Sequence, residues 1–205
     1  MLGIKNSLEE LSLQLKFECL PLLGFETPLL ENEVRQRGEC LKIPSVSKQL
    51  GKQFQEEMLS GYVGALQVQW AHEKVGYGVF ASRKISKGSY VAEYTGVVRR
   101  NDLRRCFEPL NDYCVVYPIQ DEIGKNFFLD AKDKGNIARF INHSYFPNLL
   151  FVYAFCEGMY HRILIAVRSI EKGEQLFYDY GRSYWHVREV PLEINIEERG
   201  LKGVS

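Results

Sequence analysis

The sequence has 205 residues, the size of one domain with a short appendage, which excludes a large multidomain assembly. Its 26 basic and 26 acidic side chains give a formal net charge of 0, so no overall positive field draws it to nucleic acid or to an anionic membrane. With 45% hydrophobic and 25% charged residues, the composition is that of a globular protein rather than a disordered chain or a coiled coil. The tyrosines are unevenly placed: of 12, only Tyr62 precedes Tyr77, and the others lie between Tyr77 and Tyr184.

The cysteines and histidines do not indicate a disulfide framework or a metal site. The 5 cysteines are widely spaced, odd in number and lack a C-x-x-C pair, and the 4 histidines have no metal-ligand spacing. The N-terminus lacks a charged segment followed by an apolar one, and no run of about 18 apolar residues follows. We therefore predict a cytoplasmic protein in a reducing compartment, without a metal or a membrane span; export into a host nucleus stays open.

The first 65 residues are predicted to be helical. Residues 7–10 form a capping box with Ser7 as the N-cap and Glu10 at the third helical position, and this helix is expected to continue until Pro21. A second helix is predicted over residues 44–61, with Gly61 as its stop. The apolar positions of the two helices are Leu8, Leu11 and Leu15, and Leu50, Phe54 and Met58.

From residue 66 onward the hydrophobic period changes to that of β-strands. Short apolar, β-branched or aromatic runs are bounded by turn residues, and Gly88 and Gly173 end two similar turns that favour a positive φ. We divide the chain into a helical region at 1–65, a strand-rich domain at 66–185 and a tail at 186–205. The predicted strands lie within Leu66–Trp70, Val91–Val98, Cys114–Ile119, Leu149–Phe155, Ile163–Val167 and Gln175–Tyr180.

The segment 76–81, Gly-Tyr-Gly-Val-Phe-Ala, matches the G-x-G-x-x-A pattern of dinucleotide-binding turns. That pattern requires a following helix, whereas Gly88 interrupts within ten residues and the flanking sequence favours strands. The two glycines, Gly76 and Gly78, would let a ligand approach the backbone, and a plain turn is the alternative.

Two later segments concentrate polar and aromatic groups. In the first, Asn142 and His143 follow an apolar pair, which indicates polar groups held against a core. A serine hydrolase is excluded there, because adjacent His143 and Ser144 side chains cannot act as base and nucleophile. In the second, Tyr178 and Tyr180 alternate along a strand and share a face. Core aromatics with hydrogen-bonded hydroxyls are the alternative to a functional pair.

Taken in order, Gly-Tyr-Gly at 76–78, Glu-Tyr-Thr-Gly at 93–96, Arg-Phe-Ile-Asn-His-Ser at 139–144 and Phe-Tyr-Asp-Tyr-Gly at 177–181 resemble the SET-domain protein lysine methyltransferases. The resemblance covers about residues 66–185. It implies a mostly β fold with short helices, in which small sheets surround a knot-like C-terminal segment behind an α-helical N-terminal region. The chain is similar to small bacterial, chlamydial-type members without zinc-binding segments before or after the SET domain.

The resemblance implies S-adenosylmethionine as the cofactor. The glycine loop would hold its methionine and ribose portion, Asn142 and His143 would contact its amino group and adenine, and Arg139 would help to fix that loop. Tyr145 stands where many members have a zinc-binding cysteine, so Tyr184 or Trp185 would close the site, with an ordinary core role for Trp185 as the alternative. The cofactor-binding residues implied are Gly76, Tyr77, Gly78, Tyr94, Arg139, Asn142, His143, Tyr180 and Trp185.

The catalytic residues implied are three tyrosines. Tyr180 would orient the substrate amine, Tyr113 would line the lysine channel, and Tyr178 occupies a switch position where tyrosine limits the product to mono- or dimethyl-lysine. The substrate class implied is a lysine in a histone or histone-like basic protein, with no direct nucleic acid and no membrane as partner.

Three points stay open from the sequence. A non-catalytic SET-like binding module is the alternative to an enzyme. The apolar helix faces either form a homodimer or pack on the SET core. The insert at 101–111 contacts substrate or is a solvated face, and the arginines concerned are Arg99, Arg100, Arg104 and Arg105.

Overall fold

The structure is a computed structural model that describes residues 5–6, 8–100, 111–185 and 188. The helices are α1 (Leu8–Leu15), α2 (Pro28–Cys40), α3 (Ser45–Gln53), α4 (Gln55–Ser60) and α5 (Arg182–Trp185). The first strands are β1 (Lys5–Asn6), β2 (Glu18–Cys19), β3 (Gly24–Phe25), β4 (Leu66–His72), β5 (Gly76–Ala81), β6 (Tyr90–Glu93) and β7 (Val97–Arg99). The others are β8 (Cys114–Gln120), β9 (Asn126–Asp130), β10 (Lys134–Gly135), β11 (Asn142–His143), β12 (Leu149–Cys156), β13 (Met159–Ala166) and β14 (Phe177–Tyr178).

The strands form small separate sheets, as the resemblance implied. Strands β4 and β5 form an antiparallel hairpin with β1 at one edge, and β12 and β13 form a longer hairpin that β6 extends. Strands β8, β9, β7 and β3 form a four-stranded sheet in that order. The predicted strand runs are confirmed except at 91–98, which is divided into β6 and β7, and at 175–180, where only Phe177–Tyr178 is a strand. Gly88 and Gly173, which end the two similar turns, have positive φ angles of 81° and 85°. The two turns are neighbours, because Ile85 and Ile170 form a β-bridge.

The N-terminal region is mostly helical, but its helices differ from the predicted ones. Helix α1 ends at Leu15, well before Pro21, because Lys16 has a positive φ of 54°. Ser7, the predicted N-cap, lies outside the described residues. Helix α2 was not predicted, although Thr27 caps it by accepting a hydrogen bond from the Leu30 N–H (3.1 Å) and a proline follows the cap.

The second predicted helix is divided in two. Phe54, with φ −119° and ψ 23°, separates α3 from α4. The predicted stop is confirmed, because Gly61 takes the left-handed conformation at φ 66° and its N–H bonds to the last turn of α4.

The N-terminal region and the strand-rich region share one core. Strand β2 pairs in parallel with β10, β3 pairs in parallel with β7, and α3 packs along β12. Leu11, Phe54 and Met58, proposed above as members of apolar faces for a second copy, are at most 6% exposed within the chain itself. Those three side chains therefore pack on the core of their own chain, which was the alternative to a homodimer interface. Of the helices in the described part of the chain, none is long and apolar enough to cross a membrane.

Candidate active site

The site forms where two distant segments meet side by side. Strand β11 pairs in parallel with β14, which places Asn142 beside Phe177 and His143 beside Tyr178. A 3₁₀ turn at Ile137–Phe140 leads into β11. Its N-cap, Asn136, accepts a hydrogen bond from the Ala138 N–H (3.0 Å). This pairing brings 139–148 against 176–181, as the family's knot-like arrangement implied.

The glycine loop lies at the start of β5, against the same two segments. Gly76 has φ of 70°, which favours glycine. A Cβ on Gly78 would come 2.5 Å from the Gln175 amide nitrogen and 3.2 Å from that of Asn142. The Asn142 amide donates to the Tyr77 carbonyl (3.0 Å). The loop is part of a β-hairpin and leads into no helix, so the dinucleotide pattern is coincidental. Gly78 itself is buried, and the Gln175 and Asn142 side chains leave no room there for a Cβ.

Tyr180 is the best-oriented of the candidate catalytic side chains. Its hydroxyl donates to the Ile141 carbonyl (2.9 Å), and its N–H donates to Nδ1 of His143 (3.2 Å). Tyr178 lies against it, with ring centroids 4.8 Å apart. Burial raises the pKa of both tyrosines well above the ordinary value of 10.0. Both phenols are therefore protonated at neutral pH, and neither is a general base there.

Helix α5 closes one side of this tyrosine pair. The Tyr184 ring is 4.7 Å from Tyr180, and the Trp185 ring stacks on Tyr180 at 6.0 Å with an interplanar angle of 8°. Trp185 also meets the His143 ring at 4.9 Å, while Tyr145 contacts His143 at 4.5 Å from another direction. The residues predicted to close the site thus lie around His143 and Tyr180.

His143 has an unused donor that faces this enclosed space. Burial lowers the pKa of its imidazole, so it is neutral at pH 7, and Nδ1 acts as the acceptor for Tyr180. The proton of the neutral ring is therefore on Nε2. That atom and the indole Nε1 of Trp185 are both buried without a hydrogen-bond partner among the described residues. Buried donors of this kind can bind an acceptor group of a polar ligand.

The sequence profile of the SET domain matches residues 76–181. This chain belongs to the SET-domain family. Among curated relatives, histone-lysine N-methyltransferase trithorax of Drosophila virilis is 32% identical over 78% of this chain and 4% of its own length. The variant-silencing SET domain-containing protein of Plasmodium falciparum is 33% identical over 65% of this chain and 5% of its own length. The chain thus spans about a twentieth of those relatives.

Solved structures support the same fold. A crystal structure of ATXR5 in complex with histone H3.1 mono-methylated on R26 superposes with a TM-score of 0.66, at 23% identity, over 84% of this chain and 85% of that one. An active polycomb repressive complex 2 gives a TM-score of 0.51, at 27% identity, over 61% of this chain and 16% of that one. The mostly β SET fold is therefore confirmed.

Two further tyrosines that were predicted as site residues, Tyr94 and Tyr113, lie next to each other. The Tyr94 hydroxyl donates to the Tyr113 carbonyl (3.0 Å), which ties β6 to the start of β8. The guanidinium of Arg139 lies over the Tyr113 ring (4.2 Å) and the Phe17 ring (4.3 Å) and donates to the Lys132 carbonyl (3.0 Å). Arg139 thus joins the N-terminal region to the tyrosine side of the site.

Sequence reasoning missed two members of this ring cluster. The Phe151 ring lies 4.4 Å from that of Tyr178 and 5.7 Å from that of Tyr94, and the guanidinium of Arg162 lies over the Phe151 ring at 4.0 Å. The aromatic residues at 151, 153 and 155 share one face of β12, but which way that face points depends on how β12 packs.

The insert arginines are only partly described. Arg99 pairs with Asp130 (2.7 Å), and Arg100 pairs with Glu33, so both act as ion-pair partners within the fold. Arg104 and Arg105 lie outside the described residues. In the described part of the chain, no group of three or more His, Cys, Asp or Glu side chains could hold a metal ion.

Proposed function

We propose that the protein is an S-adenosylmethionine-dependent protein-lysine N-methyltransferase that acts on histone or histone-like basic proteins. The observation that carries the proposal is the partly buried Tyr180 side chain, whose hydroxyl donates to the Ile141 carbonyl within a cluster of aromatic rings. In support, curated relatives are named histone-lysine N-methyltransferases, and the two ATXR5 SET-domain structures contain methylated histone H3.

The residues beside Tyr180 fit the proposed cofactor. Beside the buried Gly78, the Asn142 amide is oriented by the Tyr77 carbonyl, and His143 Nε2 is a buried donor without a partner among the described residues. These groups match an amino acid portion and a purine. When bound, S-adenosylmethionine supplies a methyl group on a positively charged sulfur.

The tyrosine cluster provides the environment that the reaction needs. Its rings exclude water, and their negative faces attract an alkylammonium side chain. The Tyr180 phenol, kept protonated by burial, positions the lysine amine and accepts weak C–H···O contacts from the transferring methyl. Tyr113 and Tyr178 would line the lysine channel, and Tyr178 would limit the product to mono- or dimethyl-lysine.

The Tyr180→Phe variant tests the assignment. We expect it to lower the rate of methyl transfer to a histone mixture by about 100-fold, because the hydroxyl that orients the amine is gone while the ring remains. Site-resolved mass spectrometry would measure the product. Tyr62→Phe, at a half-exposed ring outside the site, is the matched control and should keep full activity.

Two outcomes would contradict the proposal in different ways. Full activity of the Tyr180→Phe variant would show that the Tyr180 hydroxyl is not needed for methyl transfer. Unmutated protein that binds S-adenosylmethionine in calorimetry, but modifies neither a basic protein nor itself, would be a non-catalytic SET-like module.

The remaining expectations are proposals of the same kind. We propose a cytoplasmic protein that binds no nucleic acid directly and resembles the small bacterial SET proteins; the relatives named above are eukaryotic. We also propose a homodimer. Since Leu11, Phe54 and Met58 are buried within the chain, the dimer would use other side chains, and light scattering that gives a monomer mass would reject it.

A further inference from the structure

Arg162 lies directly behind the aromatic cluster of the proposed site. Its guanidinium carbon is 4.0 Å from the centroid of the Phe151 ring and 4.0 Å from that of Tyr153. The Phe151 ring lies in turn 4.4 Å from Tyr178. The register of β12 and β13 explains this position, because Arg162 is paired with Tyr153 and shares its sheet face with Phe151. One aromatic ring therefore separates a cation from the tyrosine pair.

The charge of Arg162 is not neutralised by a carboxylate in the described part of the chain. It makes no ion pair there, and its Nε is buried without a hydrogen-bond partner. The buried carboxylate of Glu93 pairs with His161 (2.9 Å), on the opposite face of the same sheet. Burial lowers the pKa of Arg162, but a guanidinium stays protonated at neutral pH. The two rings are thus its main compensation.

The other charged groups at the cluster do not cancel this charge. Arg188 is paired with Asp112 (2.8 Å), whose side chain is 71% exposed, and Asp179 is 56% exposed beside neutral His143. Exposed carboxylates are screened by water and salt. The described charged and titratable groups in and around the cluster are Arg139, Arg162, Arg188, Asp112, Asp133, Asp179, His143, Cys114, Tyr94, Tyr113, Tyr153, Tyr178, Tyr180 and Tyr184.

We propose that Arg162 is a positioning residue that acts through Phe151 to favour the neutral amine of the substrate lysine over its ammonium form. The inference rests on the proposed function. Methyl transfer needs the amine lone pair, yet only about one free lysine in a thousand is neutral near pH 7.4. A partly buried cation one ring away makes the ammonium form less favourable, and it also interacts with a ring that would otherwise attract that ammonium.

The test compares the pH dependence of kcat in three variants. Arg162→Met removes the charge and keeps an apolar chain between the rings, Arg162→Lys keeps the charge, and Arg37→Met removes a surface charge on α2 that is paired with Glu33. We expect the rising limb of kcat in Arg162→Met to move up by about one pH unit. This corresponds to about tenfold slower turnover at neutral pH that recovers at high pH. The other two variants should follow the unmutated protein.

Peptide affinity distinguishes this electrostatic role of Arg162 from a structural one. Loss of a purely structural side chain would weaken peptide binding, whereas loss of the charge should strengthen it. Arg162→Met should bind a basic peptide with a single lysine more tightly at neutral pH, and bind the same peptide with norleucine unchanged. Coincident pH profiles for Arg162→Met and the unmutated protein, or weaker binding of both peptides, would overturn the inference. An unmutated protein that transfers no methyl group would overturn the proposed function first, and this inference with it.

Discussion

At the scale of single residues, Tyr178 determines how much room the proposed lysine channel has. Its ring is buried between Phe151 and Tyr180, at centroid distances of 4.4 and 4.8 Å. In the resembled family, a tyrosine at this position retains a water beside the amine. Under the proposed function, the position of its hydroxyl would control whether a methylated amine can turn and react again.

The Tyr178→Phe variant should shift the product toward dimethyl- and trimethyl-lysine, because removing one oxygen atom enlarges the space beside the amine. Intact-mass measurement of a single-lysine peptide over time would record the distribution. Tyr62→Phe is the control and should keep the distribution of the unmutated protein. If the unmutated protein already made mainly trimethyl-lysine, Tyr178 would not be the switch.

At the scale of elements, a backbone contact joins the helical region to the hairpin of β12 and β13. A Cβ on Gly51 of α3 would lie 1.9 Å from the carbonyl oxygen of Phe155, and one on Gly38 of α2 would lie 1.9 Å from that of Gly158. Both helices thus approach the hairpin closely enough that only glycine fits. This packing supports the strand that carries Phe151.

The Gly51→Ala variant should destabilise the protein by about 3 kcal/mol, because α3 must move away from β12. Helix propensity alone predicts the opposite sign, a gain of about 1 kcal/mol. Urea unfolding would measure the change in free energy. The control is Gln53→Ala on the exposed side of α3, which should stay within about 0.5 kcal/mol of the unmutated protein. An equally stable Gly51→Ala variant would show that this contact is loose.

At the scale of the whole molecule, the N-terminal region supplies both strands and core side chains. Strands β2 and β3 extend β10 and β7, and the rings of Phe17 and Phe140 meet at 5.7 Å. The division at residue 65 stays a prediction, and the shared core makes independent folding of residues 66–205 unfavourable.

A chain that begins at residue 66 should therefore lack a cooperative thermal transition and bind a hydrophobic dye, since two strand edges and the core beneath α1 and α2 would be exposed. Circular dichroism and dye fluorescence would measure this against the full chain. A sharp transition near that of the full chain would show that the strand-rich domain folds alone.

Much of this protein could be read from its sequence. Period-two alternation located most strands, two glycines located the paired turns, and four motifs in order indicated the SET family. The sequence pattern gave the wrong bounds where contacts with distant residues determine the structure. Phe54 interrupts a helix that the apolar spacing of residues 50, 54 and 58 predicts as continuous. The strand predicted over 175–180 is limited to the two residues that pair with β11.

The chemical groups of the site were determined by the sequence alone, because tyrosine, histidine and asparagine side chains have the same chemistry in any fold. Their partners were decided by the tertiary structure. Tyr180 bonds to Ile141, 39 residues away, and Arg162 lies one ring from Tyr178. Such contacts depend on the parallel pairing of β11 with β14 and on the face that β12 presents. Those are properties of long-range packing, for which the spacing of residues along the chain carries no signal.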